Sequence, residues 1–244
     1  MRGMFSPLRW LLLVCVSTAL VRADFAQDLM RIHTEAIGGR ERIGELKALK
    51  GTGVTRSDNG EMKFVLWAAR PNRIRTEVVS GMRTISQGWD GASDPWIADS
   101  QTKRIIRLGG VSAWDFKIDA EFDDPLVVGS NRKISVDYVG EVEVDGRTLL
   151  KLVVVQNFTS SSFVFLDPAT YMIVRRDIVR NQKGGNVVLR TEYADYRAVA
   201  GVLLPHRVVV SQGEKRIRET VIETIEPNPV LTADVFKGPA DTKR

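Results

Sequence analysis

Histidine, carboxylate and arginine side chains are the groups with which this 244-residue chain could do chemistry. There are two histidines, His33 and His206, too few to assemble a metal cluster unaided, and no partner at metal-ligand spacing stands near His33. His33 reads as a partly exposed structural residue of a helix. The adjacent acids Asp123 and Asp124 are of a type used in acid–base catalysis, but beside a helix end they read as solvated caps. No glycine-rich phosphate loop or nucleophile elbow is present. The chain is therefore not read as an enzyme, and no metal or cofactor is expected. Arginine recurs near strand ends, in Arg73, Arg75, Arg104, Arg107, Arg175 and Arg176. Its fork of donors suits phosphate or carboxylate groups. A solvated strand face or a guarded sheet edge uses the same residue. Asn157-Phe158-Thr159 fits a glycosylation sequon and is taken as chance.

The elements that must position these groups begin after a targeting segment. Arg2 and Arg9 form a basic stretch, Trp10 to Val21 an apolar one, and Val21-Arg22-Ala23 a cleavage site, so residues 1–23 read as a signal peptide. The apolar run is shorter than the roughly 20 residues of a membrane-spanning helix. Val14, not a small residue, precedes Cys15, which argues against acylation of that cysteine. Removing three arginines and no acid leaves 32 Lys+Arg against 30 Asp+Glu, so the formal charge falls from +5 to +2 and nucleic acid is not an expected partner. The remaining chain has no cysteine and must fold without disulfides. Residues 24–244 show no linker and read as one domain.

Phe25, Leu29, Ile32, Ala36 and Ile37 recur at helical spacing before the Gly38-Gly39 stop, and Ile43, Leu46 and Leu49 suggest a second, short helix. Strand patterns follow. Met62, Phe64, Leu66 and Ala68 alternate with Lys63, Val65 and Trp67, and Ile74, Thr76 and Val78 with Arg73, Arg75 and Glu77. Further strands begin at Met82, Trp96 and Lys103. Ser112 and Asp115 resemble a capping box, and Trp114, Ile118 and Phe122 at i, i+4 and i+8 predict a helix that interrupts the sheet before Asp123-Asp124-Pro125. From Lys133 to Ile225 a meander of hairpins runs on, among them Phe163-Val164-Phe165-Leu166, a turn at Asp167-Pro168-Ala169-Thr170, and the return from Tyr171 to Arg176. The fold class is mainly β (α+β): a curved antiparallel sheet of about eleven strands forming an incomplete barrel, covered by short helices.

Several motifs carry a family resemblance. Ala36-Ile37-Gly38-Gly39, the run from Ile43 to Lys50, Gly88-Trp89-Asp90-Gly91 followed by Trp96, Leu166 to Tyr171, and Asp195-Tyr196-Arg197 followed by Gly201-Val202-Leu203-Leu204-Pro205-His206 resemble the LolA-like outer-membrane lipoprotein-sorting proteins of Gram-negative bacteria. The resemblance covers essentially all of residues 24–244. It implies a half-barrel capped by helices, an apolar cavity that accepts acyl chains, and a periplasmic location reached by cleavage after Ala23. The partner it implies is an acylated lipid or lipoprotein, with inner- or outer-membrane proteins as further partners and the protein acting as a monomer.

Carrying an acyl chain through water requires a dry lining, because each buried methylene gains about 0.8 kcal/mol. The expected lining is Phe64, Leu66, Ile74, Met82, Trp96, Phe163 and Phe165 from the sheet, with Trp114, Ile118 and Phe122 from the interrupting helix; each would serve equally in a filled core. Arg73, Arg75 and Arg175 are the expected head-group contacts. A strand register one residue out would exchange the faces. The alternative to a carrier is an envelope interaction module, a sensor or assembly factor, that binds protein through the same half-barrel.

Overall fold

The computed structural model describes residues 25–127, 134–156, 160–182 and 185–240. The expected signal peptide and the Asn157-Phe158-Thr159 sequon lie outside them. Helix α1 covers residues 25–36 and α2 Arg40–Glu45. Strands β1 (Ala48–Ser57), β2 (Gly60–Ala69), β3 (Arg73–Ser80), β4 (Arg83–Trp89), β5 (Trp96–Asp99) and β6 (Ile105–Arg107) precede helix α3 (Gly110–Asp119). Strands β7 (Ile134–Val144), β8 (Arg147–Gln156), β9 (Ser160–Leu166), β10 (Ile173–Gln182), β11 (Gly185–Val199), β12 (Val202–Gln212) and β13 (Lys215–Pro227) follow, with a 3₁₀ turn at Ala233–Phe236.

All thirteen strands join one curved, unclosed antiparallel sheet in the order β6-β5-β4-β3-β2-β1-β13-β12-β11-β10-β9-β8-β7. The first and last strands pair at its centre. The free edges are therefore β6 and β7, consecutive in the chain, and the connection between them carries α3. A sheet this long curls because each strand is rotated on its neighbour. Helix α3 lies inside that curl.

Alternation sets the two faces. On β2, Phe64 and Leu66 look inward while Trp67 and Ala69 look outward, and cross-strand pairing extends the inner row from Leu66 to Thr76 and Gln87. Gly53 makes room for this row. A Cβ there would lie 2.0 Å from the Val221 carbonyl oxygen and 3.0 Å from the Phe64 ring.

The buried stripe of α1 is Ala26, Leu29 and His33, continued by Ile37 just past its end. The expected stripe began one residue earlier, at Phe25, which instead stays 41% exposed and meets the edge of Tyr138. Ala26 and Leu29 pack on Val136, Leu150, Leu152, Val154, Val164, Leu166 and Ile173, so α1 seals the inner face of β7 to β10. Ile43 and Leu46 close one end of the curl against Ile37, Val127, Met172 and Val202, while Leu49, expected in α2, belongs to β1. Helix α3 starts at Gly110 after the N-cap Gly109 and has no side-chain cap, so the Ser112 capping box does not form.

The outer face of β1 to β6 is covered by the C-terminal segment. Phe236 is fully buried there with Trp67, Ala48 and Ala69, and the indole of Trp96 donates to the Phe236 carbonyl at 3.1 Å.

Candidate functional site

Two chambers open between the inner face of the sheet and α3. The larger, about 620 Å³, is lined on the sheet by Phe64, Leu66, Ile74, Thr76, Val78 and Ile222, with Phe116 among the α3 residues opposite. The smaller, about 280 Å³, runs from Ile118 and Phe122 to Ile173, Tyr193 and Tyr196. Asp119 borders both.

The larger chamber is polarised along the strands. Ile222, Thr220 and Arg218 succeed one another inward on β13, toward the hairpin turn at Gly213; Leu66 and Phe64 run the same way on β2, as do Ile74, Thr76 and Val78 on β3. Large apolar groups thus lie at the end nearer α2, and Arg218 is placed toward the hairpin rim.

A belt of ion pairs holds the covering segment to the sheet. Arg180, which is 6% exposed, donates to Asp115 at 2.5 Å and to Asp119 at 2.6 Å. Burial pushes the Asp119 carboxyl up, while Arg180 and Arg176 pull it down. Arg176 donates to Ser162 and Gln156, and Gln156 donates to Glu121 at 2.6 Å. Beyond α3, Arg70 pairs with Asp123, donates to the carbonyls of Ile43 in α2 and of Leu46 just after it, and lies 4.7 Å from the centre of the Phe122 ring. Asp123 is thus a latch rather than a solvated cap.

Asp124 is the other latch. His33 is 1% exposed, not partly exposed as its sequence position suggests, because it falls on the buried stripe of α1. Its Nδ1 lies 2.7 Å from the Tyr171 carbonyl oxygen and its Nε2 3.2 Å from an Asp124 carboxylate oxygen. Both ring nitrogens face acceptors, and only the imidazolium donates to both. Burial pushes the His33 pKa down, but the charge and hydrogen bond of Asp124 and the Tyr171 carbonyl outweigh it, and the value lies above the ordinary 6.5. The native state therefore holds its proton to higher pH than the unfolded chain does. The contribution of His33 to stability is full below pH 6.5 and is lost as pH rises through the raised value. Denaturant titrations of the wild type and His33→Gln across this window are expected to show a stability difference that shrinks on going alkaline. A difference that is flat, or that grows with pH, would contradict the charged assignment.

The structure divides the expected lining residues. Phe64, Leu66 and Ile74 border the larger chamber; Ile118 and Phe122 border the smaller. Met82 is fully exposed at a hairpin tip, since β4 starts at Arg83, and Trp114 is 40% exposed on α3. Trp96, Phe163 and Phe165 lie on the outer face. Trp96 pairs across from Gly88, which pairs with Arg75, which pairs with Trp67, and that whole row looks away from α3. In β9 the inward residues are Val164 and Leu166. Phe165 is buried on the other side, against the cations of Lys151 and Arg175, and Phe163 carries the Lys151 ammonium 4.0 Å from its ring centre.

The expected head-group arginines are outward as well. Arg73 and Arg75 stack over Phe236 and over Trp67 and Trp96, and Arg175 is paired with Asp177. The arginines beneath α3 are instead Arg176, Arg180 and Arg218. Strand β13 hides its inward row well. Arg218 and Thr220 face the chamber while Ile217 and Val221 face outward, an order that reads naturally as the reverse.

No protein-family model matches the chain, and no curated protein sequence matches it. Solved structures do. A protein designated an outer membrane lipoprotein-sorting protein domain from Vibrio parahaemolyticus aligns at a TM-score of 0.57 with 12% identity, over 88% of this chain and 97% of its own. A LolA superfamily protein from Nitrosomonas europaea aligns at 0.55 with 11% identity, over 87% and 97%. A DUF1329 family protein from Desulfovibrio piger aligns at 0.61 with 11% identity, over 88% and 97%. At such identities the likeness is one of fold, and over nearly the full length of each structure this chain has the curved, open-sheet fold of the LolA-like proteins.

Proposed function

We propose that this protein is a non-enzymatic periplasmic carrier that holds the acyl part of a lipid, lipoprotein or similar amphiphile between its sheet and α3. One observation carries the reading: a chamber of about 620 Å³ with phenylalanine and aliphatic side chains at one end and a cation toward the rim. That volume falls within the roughly 300–1,000 Å³ of small-molecule sites. Transfer of a chain into such a space is favoured by about 0.8 kcal/mol per methylene, so a dozen carbons supply roughly 10 kcal/mol against the loss of ligand freedom. The fold shared with a lipoprotein-sorting domain supports the same reading.

Native mass spectrometry of the protein recovered from a Gram-negative periplasm, followed by lipid extraction, tests it. A stoichiometric acylated species is the expected result. An apo mass, together with failure of a fluorescent fatty acid to bind, would overturn it.

The free edge supplies a second reading. Among the described residues the outer side of β7 is an unpaired ladder of 11 residues on which Val139 is exposed, a template for strand addition by a protein partner. The bulge between Tyr138 and Gly140 interrupts that ladder, as edges protected against pairing do. The chamber remains the better-supported site.

A further inference from the structure

The three arginines beneath α3 are not equivalent. Arg176 is held by Ser162 and Gln156, and Arg180 by Asp115 and Asp119. Among the described residues the Arg218 side chain has neither a hydrogen bond nor an ion pair, although it borders the larger chamber. The groups bordering the chamber with it are Thr55, Thr76, Thr220 and Gln87 from the sheet and Ser112, Asp115 and Asp119 from α3. Both of those acids are already engaged by Arg180. Partial desolvation pushes the Arg218 pKa down, and the more distant Asp119 only partly opposes this. A guanidinium so placed keeps its donors in hand at the rim of a chamber that carries Phe64, Leu66, Ile74 and Ile222 farther in.

We propose that Arg218 is the head-group site of the chamber and selects amphiphiles ending in an anionic oxygen group, carboxylate or phosphate, with the chain running inward toward Leu66, Ile74 and Ile222. The inference rests on the carrier reading and narrows it. Two oxygens of such a head group match the guanidinium fork, and the charge of the ligand offsets the partial desolvation of the cation. A neutral head group would leave Arg218 as it is in the free protein, so affinity should separate the two by head-group charge at equal chain length.

The test is calorimetric titration of the full protein with laurate, dodecyl phosphate and 1-dodecanol below their aggregation limits, and with inorganic phosphate alone. Laurate and dodecyl phosphate are expected to bind at least about tenfold more tightly than the alcohol, from one charge-assisted interaction. Arg218→Gln should remove that advantage while leaving dodecanol affinity unchanged, and Arg218→Lys should restore part of it. Because the Arg218 side chain has no hydrogen bond or ion pair among the described residues, Arg218→Gln should unfold at the same denaturant concentration as the wild type, which separates lost recognition from lost structure. Equal binding of all three chains by wild type and variant would overturn the head-group site and leave the carrier reading standing. Binding of none of them would overturn both. Arg218-dependent binding of inorganic phosphate as tight as that of dodecyl phosphate would also overturn the proposal, since the chain would then contribute nothing.

Discussion

Trp96→Ala is expected to destabilise the protein by about 3–5 kcal/mol while leaving the affinity of the folded fraction for a long-chain amphiphile unchanged. The indole is fully buried, and it packs under the C-terminal segment rather than in the chamber. Gly238 and Gly88 both approach its ring so closely that a Cβ on either would lie within 3 Å of it. Removing the ring leaves a cavity that this backbone cannot collapse to fill. It also takes a stacking surface from Arg75 and a hydrogen bond from the Phe236 carbonyl. The loss is one of packing on the outer face, and the proposed binding is on the inner one. Urea denaturation followed by probe titration at low urea checks both halves. A Trp96→Ala protein that stays stable but loses binding would show that the faces are wrongly assigned.

The second large effect concerns the belt under α3. Removing both acids, by Asp115→Asn with Asp119→Asn, is expected to cost about 3 kcal/mol or more, because it strands the Arg180 guanidinium in a site only 7% exposed. Arg180→Met should cost less. The acids it leaves behind have 30% and 57% of their side-chain surface in contact with solvent and can hydrate, and methionine fills much of the space. The ordering, the double acid variant below the arginine variant, is the checkable claim, measured by denaturant midpoints of the three proteins. Equal stabilities would mean that α3 is held by its apolar contacts alone. The acid variant should also loosen the cover over the larger chamber, so amide exchange in α3 is expected to rise more than in β2 or β3.

What could be read from the chain was whatever depends on local periodicity. The alternation of Phe64 and Leu66 with Val65 and Trp67, and of Ile74 with Arg73 and Arg75, places those residues correctly, and the strand succession leads to a curled, unclosed sheet. Faces failed where both rows of a strand look apolar. In β9, Phe163 and Phe165 are larger than Val164, yet Val164 and Leu166 meet α1, and the two rings are sheltered outside by the stems of Lys151 and Arg175. Trp96 shows the same failure with a longer reach. Its burial comes from a segment 140 residues further along the chain, which no local pattern signals. The polar belt was unreadable for a related reason. An arginine on an alternating strand looks solvent-facing, and only the placement of α3 over the sheet turns Arg180 and Arg218 inward. Asp123, Asp124 and His33 are likewise ordinary until residues of α1, α2 and the segment after α3 are brought together.

Photolabelling tests most directly whether an acyl chain lies between the inner face and α3. The protein is loaded with a diazirine-bearing fatty acid, irradiated and digested, and the labelled residues are mapped by mass spectrometry. Labels on Phe64, Leu66, Phe116 or Ile222 are the predicted result. Labels confined to outer-face residues such as Phe163 and Phe165, or a label distributed without preference over the surface, would contradict the account.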